Sequence, residues 1–431
     1  MRRIATVLAG AALIPGGIAQ AATAETSLVS VTVDGSPAAG MSGRPSISAD
    51  GRFVAFSSSA TNLVRDDGNG VSDIFVRDRQ NGITTRVSVD SAGVEGNGAS
   101  GNPSISGDGR YVVFESRATN LVPGDTNGFQ DIFERDLVTG RTRLVTSPSL
   151  WEQANGDSFA PVISADGSHI AFDSVASNIR GGDSNGVSDV FEVARGSSFI
   201  DRISVDSNFQ EADGPSWGPS ISADGSYVSF TSDADNLNVG RPDVNHASDV
   251  FVHGGVGGTR LVSYSYLGGK GNSTSRNAVI SADGKHLVFE SYASNLVPDD
   301  TNGRADLFVS NWWDWSISRV DVDPAGVAVG GESGARAAIS ADGRYVAFAS
   351  GQDGLVPGDT NGLWDVLVRD TVAGTTTLAS VATNGAPGND FSLEPAMTPD
   401  GRHVAFKSYA SNFVPDTPRP SANTYVRDLA G

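Results

Sequence analysis

Asp125-Thr126-Asn127-Gly128-Phe129-Gln130-Asp131 sets two carboxylates and an amide around a glycine, with the amide two residues after the first acid and the second acid four further on. Calcium loops use this order of hard oxygens, since the ion takes about six to eight of them and the chain bends sharply at a glycine. Five stretches keep the pattern: Asp67/Asn69/Asp73, Asp125/Asn127/Asp131, Asp183/Asn185/Asp189, Asp300/Asn302/Asp306 and Asp359/Asn361/Asp365. A sixth, Asp243/Asn245/Asp249, has His246 in place of glycine, and in a seventh Thr417 and Asn423 replace the two acids. The motif is shorter than an EF-hand loop and lacks its bidentate Glu, so calcium would bind weakly, in the millimolar range of extracellular modules. A turn explains the same residues. Asp and Asn accept hydrogen bonds from the backbone two residues on, and Gly takes the left-handed position. Turn chemistry accounts for every residue and takes precedence, with Ca²⁺ as the possible cofactor and no other implied.

Other chemistry finds little support. His169, His286 and His403 each stand three residues after an Asp-Gly turn, where sister stretches have Phe53, Tyr111, Tyr227 and Tyr345. One strand position that takes flat side chains explains them better than a metal triad does. There is no cysteine and no Gly-x-Ser-x-Gly elbow, and among 50 acidic residues carboxylate pairs arise by chance. No catalytic residue is assigned. Tryptophan is more informative because it breaks the pattern. Trp151 and Trp217 are placed in connecting loops and Trp364 in an acidic loop, on one face as ligand-face aromatics. Trp312, Trp313 and Trp315 fall in a turn on the opposite face, as a contact patch or as rings folded onto the flank.

The elements that position these groups follow from one period. The turn acids Asp50, Asp108, Asp166, Asp224, Asp283, Asp342 and Asp400 are spaced 58, 58, 58, 59, 59 and 58 residues apart, giving seven units that start near 45, 103, 161, 219, 278, 337 and 395. The second unit reads as four strands with turn signals between them: "NPSIS", "RYVVFES", "DIFERD" and "RTRLVTS". Such a sheet cannot bury both faces alone, whereas copies arranged radially can. The seventh unit stops after its third strand at "YVRDLAG", and the N-terminal "LVSVTVDG" aligns with a fourth strand. The expected fold is therefore all-β: a seven-bladed β-propeller of four-stranded antiparallel blades spanning residues 25–431. The N-terminal strand at 26–34 completes the last blade and leaves no open edge. The repeated Arg-Asp steps, such as Arg77-Asp78 and Arg135-Asp136, are read as turn caps or strand pairs.

"ISADGRFVAFSS" (Ile47 to Ser58) and "ISADGRYVAFAS" (Ile339 to Ser350), with the "NLVPGDTNG" and "DVFVRD" runs after them, resemble the WD40-like β-propeller repeat of TolB-type proteins. The resemblance implies partner binding in a bacterial envelope. TolB-type proteins carry a further N-terminal domain, and here only the clasp strand precedes the first repeat.

Met1-Arg2-Arg3 followed by the apolar run Ile4 to Ile14 and small-x-small sites ending at Ala21 and Ala24 reads as a signal peptide over residues 1–24. The chain carries −20, and −22 once Arg2 and Arg3 are lost, so no basic stripe exists for nucleic acid. No later run is long enough to span a membrane. The expectation is an exported protein, periplasmic or extracellular. It acts as a non-catalytic scaffold or binding module for a protein or a cell-wall or matrix glycan. The alternative is a propeller-type polysaccharide lyase or glycoside hydrolase working in the central funnel, marked by non-repeating polar residues at the axis. Oligomeric state is not encoded in any of these features.

Overall fold

In the computed structural model, residues 24–147, 152–238, 245–329, 333–357, 359, 361–414 and 421–429 are described. The expected signal segment (Ala24 excepted), Trp151, Asp243 and Thr417 lie outside them.

The second strand of each unit carries Val and Phe on both faces because both faces are covered by neighbouring blades. In blade 2, Val112, Val113 and Phe114 are all fully buried. This blade runs Ser100–Ile105, Tyr111–Ser116, Asp131–Asp136 and Arg141–Leu144, hydrogen-bonded in that order, and the arrangement recurs in seven four-stranded antiparallel sheets. Opposed rings on the second and third strands meet at the same register in six blades. Phe56–Phe75, Phe114–Phe133 and Phe172–Phe191 have centroids 5.9, 6.0 and 5.8 Å apart, and each such pair adds about 0.5–1.5 kcal/mol beyond its buried area. In blade 6, Leu367 stands opposite Phe348 instead. Helical structure among the described residues is limited to one 3₁₀ turn at Gly255–Gly257, and no helix is long and apolar enough to cross a membrane.

The ring closes through the N-terminal strand. Glu25–Leu28 pairs with Asn423–Asp428, in the register Glu25↔Asp428 to Leu28↔Tyr425. The strand is shorter than the expected 26–34 because Val29 onward enters the interblade turn that the units share. Val31 bridges Pro37 as Val89 bridges Glu95, and Thr32 N–H bonds the Ser36 carbonyl at 2.8 Å.

The flat side chains after each Asp-Gly turn lie on the turn glycine of the next blade. A Cβ on Gly109 would sit 2.2 Å from Phe53, one on Gly167 2.9 Å from Tyr111, one on Gly225 2.3 Å from His169, one on Gly343 2.3 Å from His286, and one on Gly51 2.8 Å from His403. His169, His286 and His403 are thus interblade packing groups, and His403 on Gly51 makes the contact between last and first blades. The acids of the Arg-Asp steps behave as caps: Asp78 accepts from the backbone of Gln80 and Asn81 and pairs with Arg52 at 2.7 Å.

Candidate functional site

The inner strands break their pairing at a common place. Register shifts fall between Gly43 and Ser46, Gly101 and Ser104, Phe159 and Val162, Trp217 and Ser220, Arg276 and Val279, and Leu393 and Ala396. The bulge residues take positive φ: Arg44 50°, Asn102 48°, Ala160 48°, Gly218 63°, Asn277 58° and Glu394 55°. Bulges re-aim side chains. Here they turn one register toward the axis, where Arg44, Asn102, Ala160, Gly218, Asn277 and Arg336 line a cavity of about 290 Å³. Three residues further along the same strands, Ile47, Ile105, Ile163, Ile221, Ile280, Ile339 and Met397 form an apolar ring around the axis. The axis is therefore a polar funnel over an apolar floor. It opens on the side of the acidic loops, because the inner strands begin there.

Sequence reasoning misses this ring, because a strand such as "NPSIS" carries no mark of the bulge that turns Asn102 toward the axis. Rather than lying in a connecting loop, Trp217 sits on the inner strand Ser216–Ile221, one residue before the funnel-lining Gly218. The signal in the sequence is the pair of non-repeating positions just before the repeated Pro or Ala of that strand.

Acids on the second strands tie down the amides that the bulges release. Glu115 accepts from Asn102 Nδ2 at 2.6 Å and from Ala160 N–H at 3.0 Å, Asp173 from Gly218 N–H at 3.1 Å, and Glu290 from Asn277 Nδ2 at 3.0 Å. Glu394 accepts from Arg44 N–H at 2.8 Å, and the Arg44 guanidinium bonds Asn102 Oδ1. Burial pushes the Asp173 carboxyl up to about 7, with nearby Glu115 adding to the rise. Arg336 has no hydrogen-bond or ion-pair partner among the described residues. Desolvation and then repulsion from Arg44 lower its pKa, against the opposing pull of Glu394 and Glu115. An unpartnered guanidinium beside a second one is suited to an anionic group of a ligand.

The acidic loops lie on the same side. In four of them the Asn amide turns its nitrogen, not its oxygen, toward the second acid: Asn69 to Asp73 at 2.8 Å, Asn127 to Asp131 at 2.9 Å, Asn302 to Asp306 at 2.9 Å and Asn361 to Asp365 at 2.8 Å. Its oxygen accepts from the backbone two residues on, as in Val71 at 2.9 Å and Phe129 at 3.0 Å. Asn185 makes the same turn and donates to the Ala212 carbonyl at 2.7 Å. In this arrangement the asparagines shape the loop, and in four loops they donate to the second acid. The second acids Asp73, Asp131, Asp189, Asp306 and Asp365 are buried, and Ser88, Thr146, Ser204 and Ser380 donate to four of them at 2.5–2.6 Å. Two groups, Asp67/Asp73/Glu95 and Asp183/Asp189/Glu211, bring three carboxylates within 4.8 Å of one another and can hold a metal ion.

The tryptophans do not form one cluster. Trp217 is beside the funnel in blade 4, and half-buried Trp364 lies against Gly351 in blade 6. In the opposite-face turn, Trp312 is 5% exposed and donates its indole N–H to the Gly284 carbonyl at 2.9 Å, whereas Trp313 and Trp315 are 55% and 58% exposed. Both outer rings meet tyrosine edges, Trp313 on Tyr227 and Trp315 on Tyr264.

No family model matches the chain, and no curated protein matches it. Among solved structures, an oligogalacturonate lyase from Vibrio parahaemolyticus aligns over 95% of this chain and 98% of its own, at 13% identity and a TM-score of 0.56. An oligogalacturonate lyase in complex with manganese aligns over 96% and 98%, at 14% identity and a TM-score of 0.55. TolB from Acinetobacter baumannii matches over 83% of this chain and 66% of its own, at 16% identity and a TM-score of 0.42. The chain is a seven-bladed β-propeller, and its likeness to the two lyase structures is one of fold alone.

Proposed function

We propose that the protein is an exported recognition propeller of the bacterial envelope or exterior that takes a protein or glycan partner on its loop face, with the axial funnel as the main contact. The observation that carries this reading is the inner-strand register Arg44, Asn102, Ala160, Gly218, Asn277, Arg336 and Glu394, where side chains differ from blade to blade and all but Glu394 line the axial cavity. The register is also lopsided. Ala160 and Gly218 leave room beside Phe159 and Trp217 in blades 3 and 4, and the charged groups Arg336, Glu394 and Arg44 gather in blades 6, 7 and 1. A ligand with a flat apolar side and an acidic end fits that division. Calcium on the acidic loops would stiffen the same face.

The test is binding of the mature chain to fractionated cell-wall glycans and envelope proteins, compared with Arg336→Ala and Arg44→Ala. Selective loss in these variants, with melting temperature kept, is the expected result. Binding that both variants retain would place the contact elsewhere and refute the funnel.

A second reading, a lyase or hydrolase acting in the funnel, is favoured by Asp173, which stays protonated toward neutral pH behind the funnel wall. Incubation with polyuronate and neutral glycans, followed by reducing-end and unsaturated-product assays, separates the two. Turnover abolished by Asp173→Asn would establish the enzyme, and its absence across substrates leaves the binding module.

A further inference from the structure

The acidic loops share their carboxylates but not their cations. The fourth strand ends in Arg86, Arg202 and Arg319 in blades 1, 3 and 5, and in Leu144, Leu261 and Leu378 in blades 2, 4 and 6, all at one register opposite the third strand. Each arginine is buried against the acid pair of its blade, and in blades 1 and 3 it also pairs with the third acid of the group, Glu95 or Glu211. Arg86 lies 3.7 Å from Asp67, Arg202 3.3 Å from Asp189, and Arg319 3.0 Å from Asp300 and 3.4 Å from Asp306. In blade 4 the charge comes from the interblade loop instead, with Lys270 3.7 Å from Asp249.

Blades 2 and 6 have neither. Gln153 and Pro387 occupy the place of Lys270, and among the described residues no cationic side chain pairs with Asp125, Asp131, Asp359 or Asp365. These acids are as deeply buried as their sisters: 6% and 0% exposed in blade 2, 7% and 0% in blade 6. Among the described residues Asp359 Oδ1 is enclosed with no hydrogen-bond partner, as Asp67 Oδ1 and Asp300 Oδ1 are but without their arginine, and Asp125 Oδ1 meets the Gln153 amide at 3.4 Å. Buried carboxylates need a counter-charge, and the sister blades supply one at this spot. We propose that the acidic loops of blades 2 and 6 each bind a divalent metal ion, calcium by the chemistry of the donors, where arginine or lysine serves in blades 1, 3, 4 and 5. Asp125 with Asp131, and Asp359 with Asp365, are the anionic donors, and water completes a flexible all-oxygen set that suits calcium better than magnesium. Leu144 and Leu378 close the side from which arginine enters elsewhere. The proposal rests on the calcium reading of the loops given above and assigns it to particular blades.

The experiment is calorimetric titration of the EDTA-stripped mature chain with CaCl₂ up to a few millimolar, and with MgCl₂ as control. Wild type is expected to take about two calcium ions per chain in the range of weak extracellular sites. Asp125→Asn and Asp359→Asn should each remove one. Leu378→Arg should also remove one, and it copies a side chain that the fold already holds at that register. Arg319→Leu should add one. Absence of saturable calcium binding in the wild type would sink the loop-cation reading as a whole. Two ions retained by the Asp125→Asn/Asp359→Asn double variant but lost with Asp67→Asn and Asp183→Asn would leave that reading standing and overturn the assignment to blades 2 and 6. The funnel's ligand is untouched by either outcome.

Discussion

Asp173 sits on the second strand of blade 3, 6% exposed, and its carboxylate receives one backbone N–H, from Gly218 at 3.1 Å. Burial, reinforced by Glu115, lifts it from 3.8 to about 7. Between those values the folded chain keeps a proton that the unfolded chain has lost, so wild-type stability declines as pH rises through the window. Each pH unit between the unfolded and folded values is worth about 1.4 kcal/mol, and about three of them cap the penalty near 4 kcal/mol above pH 7. Asp173→Asn removes the titration and keeps an oxygen for the Gly218 amide, at the cost of one new buried N–H donor. Urea unfolding from pH 4 to pH 8 should therefore show the variant within about 1 kcal/mol of wild type at the acid end and about 2–4 kcal/mol more stable at the alkaline end. Asp78 runs the other way: the Arg52 guanidinium draws it down to about 2, and its contribution, present above 3.8, is lost as pH falls toward 2. It is common to both proteins and cancels in the difference. A gap that stays constant across the range would mean that Asp173 is ionised throughout, and the account of the funnel wall would fail with it.

Gly109 and Gly93 both have positive φ, 71° and 87°, but a Cβ on Gly109 meets Phe53 at 2.2 Å while one on Gly93 meets nothing within 4 Å. Gly93→Ala should cost about 1 kcal/mol from backbone strain alone, and Gly109→Ala about 1–3 kcal/mol more from the clash. Equal costs in urea melts would mean that the interblade stack yields easily. Trp312→Ala should cost about 3–5 kcal/mol and Trp313→Ala under about 1 kcal/mol. Comparable losses would show the exposed ring to be packed as tightly as the buried one.

Most of the fold was legible because a 58-residue period repeats every turn signal, and the two chain ends complement each other as three strands and one. The histidines were legible too, since sister blades show aromatic residues in the same place. What escaped was set by pairing between distant residues. The funnel depends on bulges, whose positive φ leaves no fixed residue type when Arg44, Asn102 and Ala160 all adopt it. In blades 1, 3 and 5 the cation of the acidic loop stands at the far end of the fourth strand, 19 residues after Asp67 in the case of Arg86, and only the strand register Phe75↔Arg86 brings it back. The role of the asparagines was legible only in part: the turn bond, as from Val71 N–H to Asn69 Oδ1, is the expected one, whereas the amide nitrogen's bond to Asp73 is not. Spacing places an amide near the acids but does not say which of its atoms faces them.

A repeat protein samples each structural position several times, and this separates scaffold from function without any relative for comparison. The Asp-Gly turn is identical in all seven units because the neighbouring blade's ring leaves no room for another residue. The acid pair recurs in five units while its counter-charge changes from guanidinium to none, so the fold requires buried carboxylates there and leaves open what neutralises them. At the funnel the backbone is repeated down to the bulge, yet the side chains are Arg, Asn, Ala, Gly, Asn, Arg and Glu. The second-strand partners of the bulges change as well, from Glu115 to Asp173 to Glu290, so each blade presents its own pair of groups at this level. An asymmetric ligand on the axis would meet each blade differently, and a register that faces solvent at the axis is where such differences can be written without disturbing the ring.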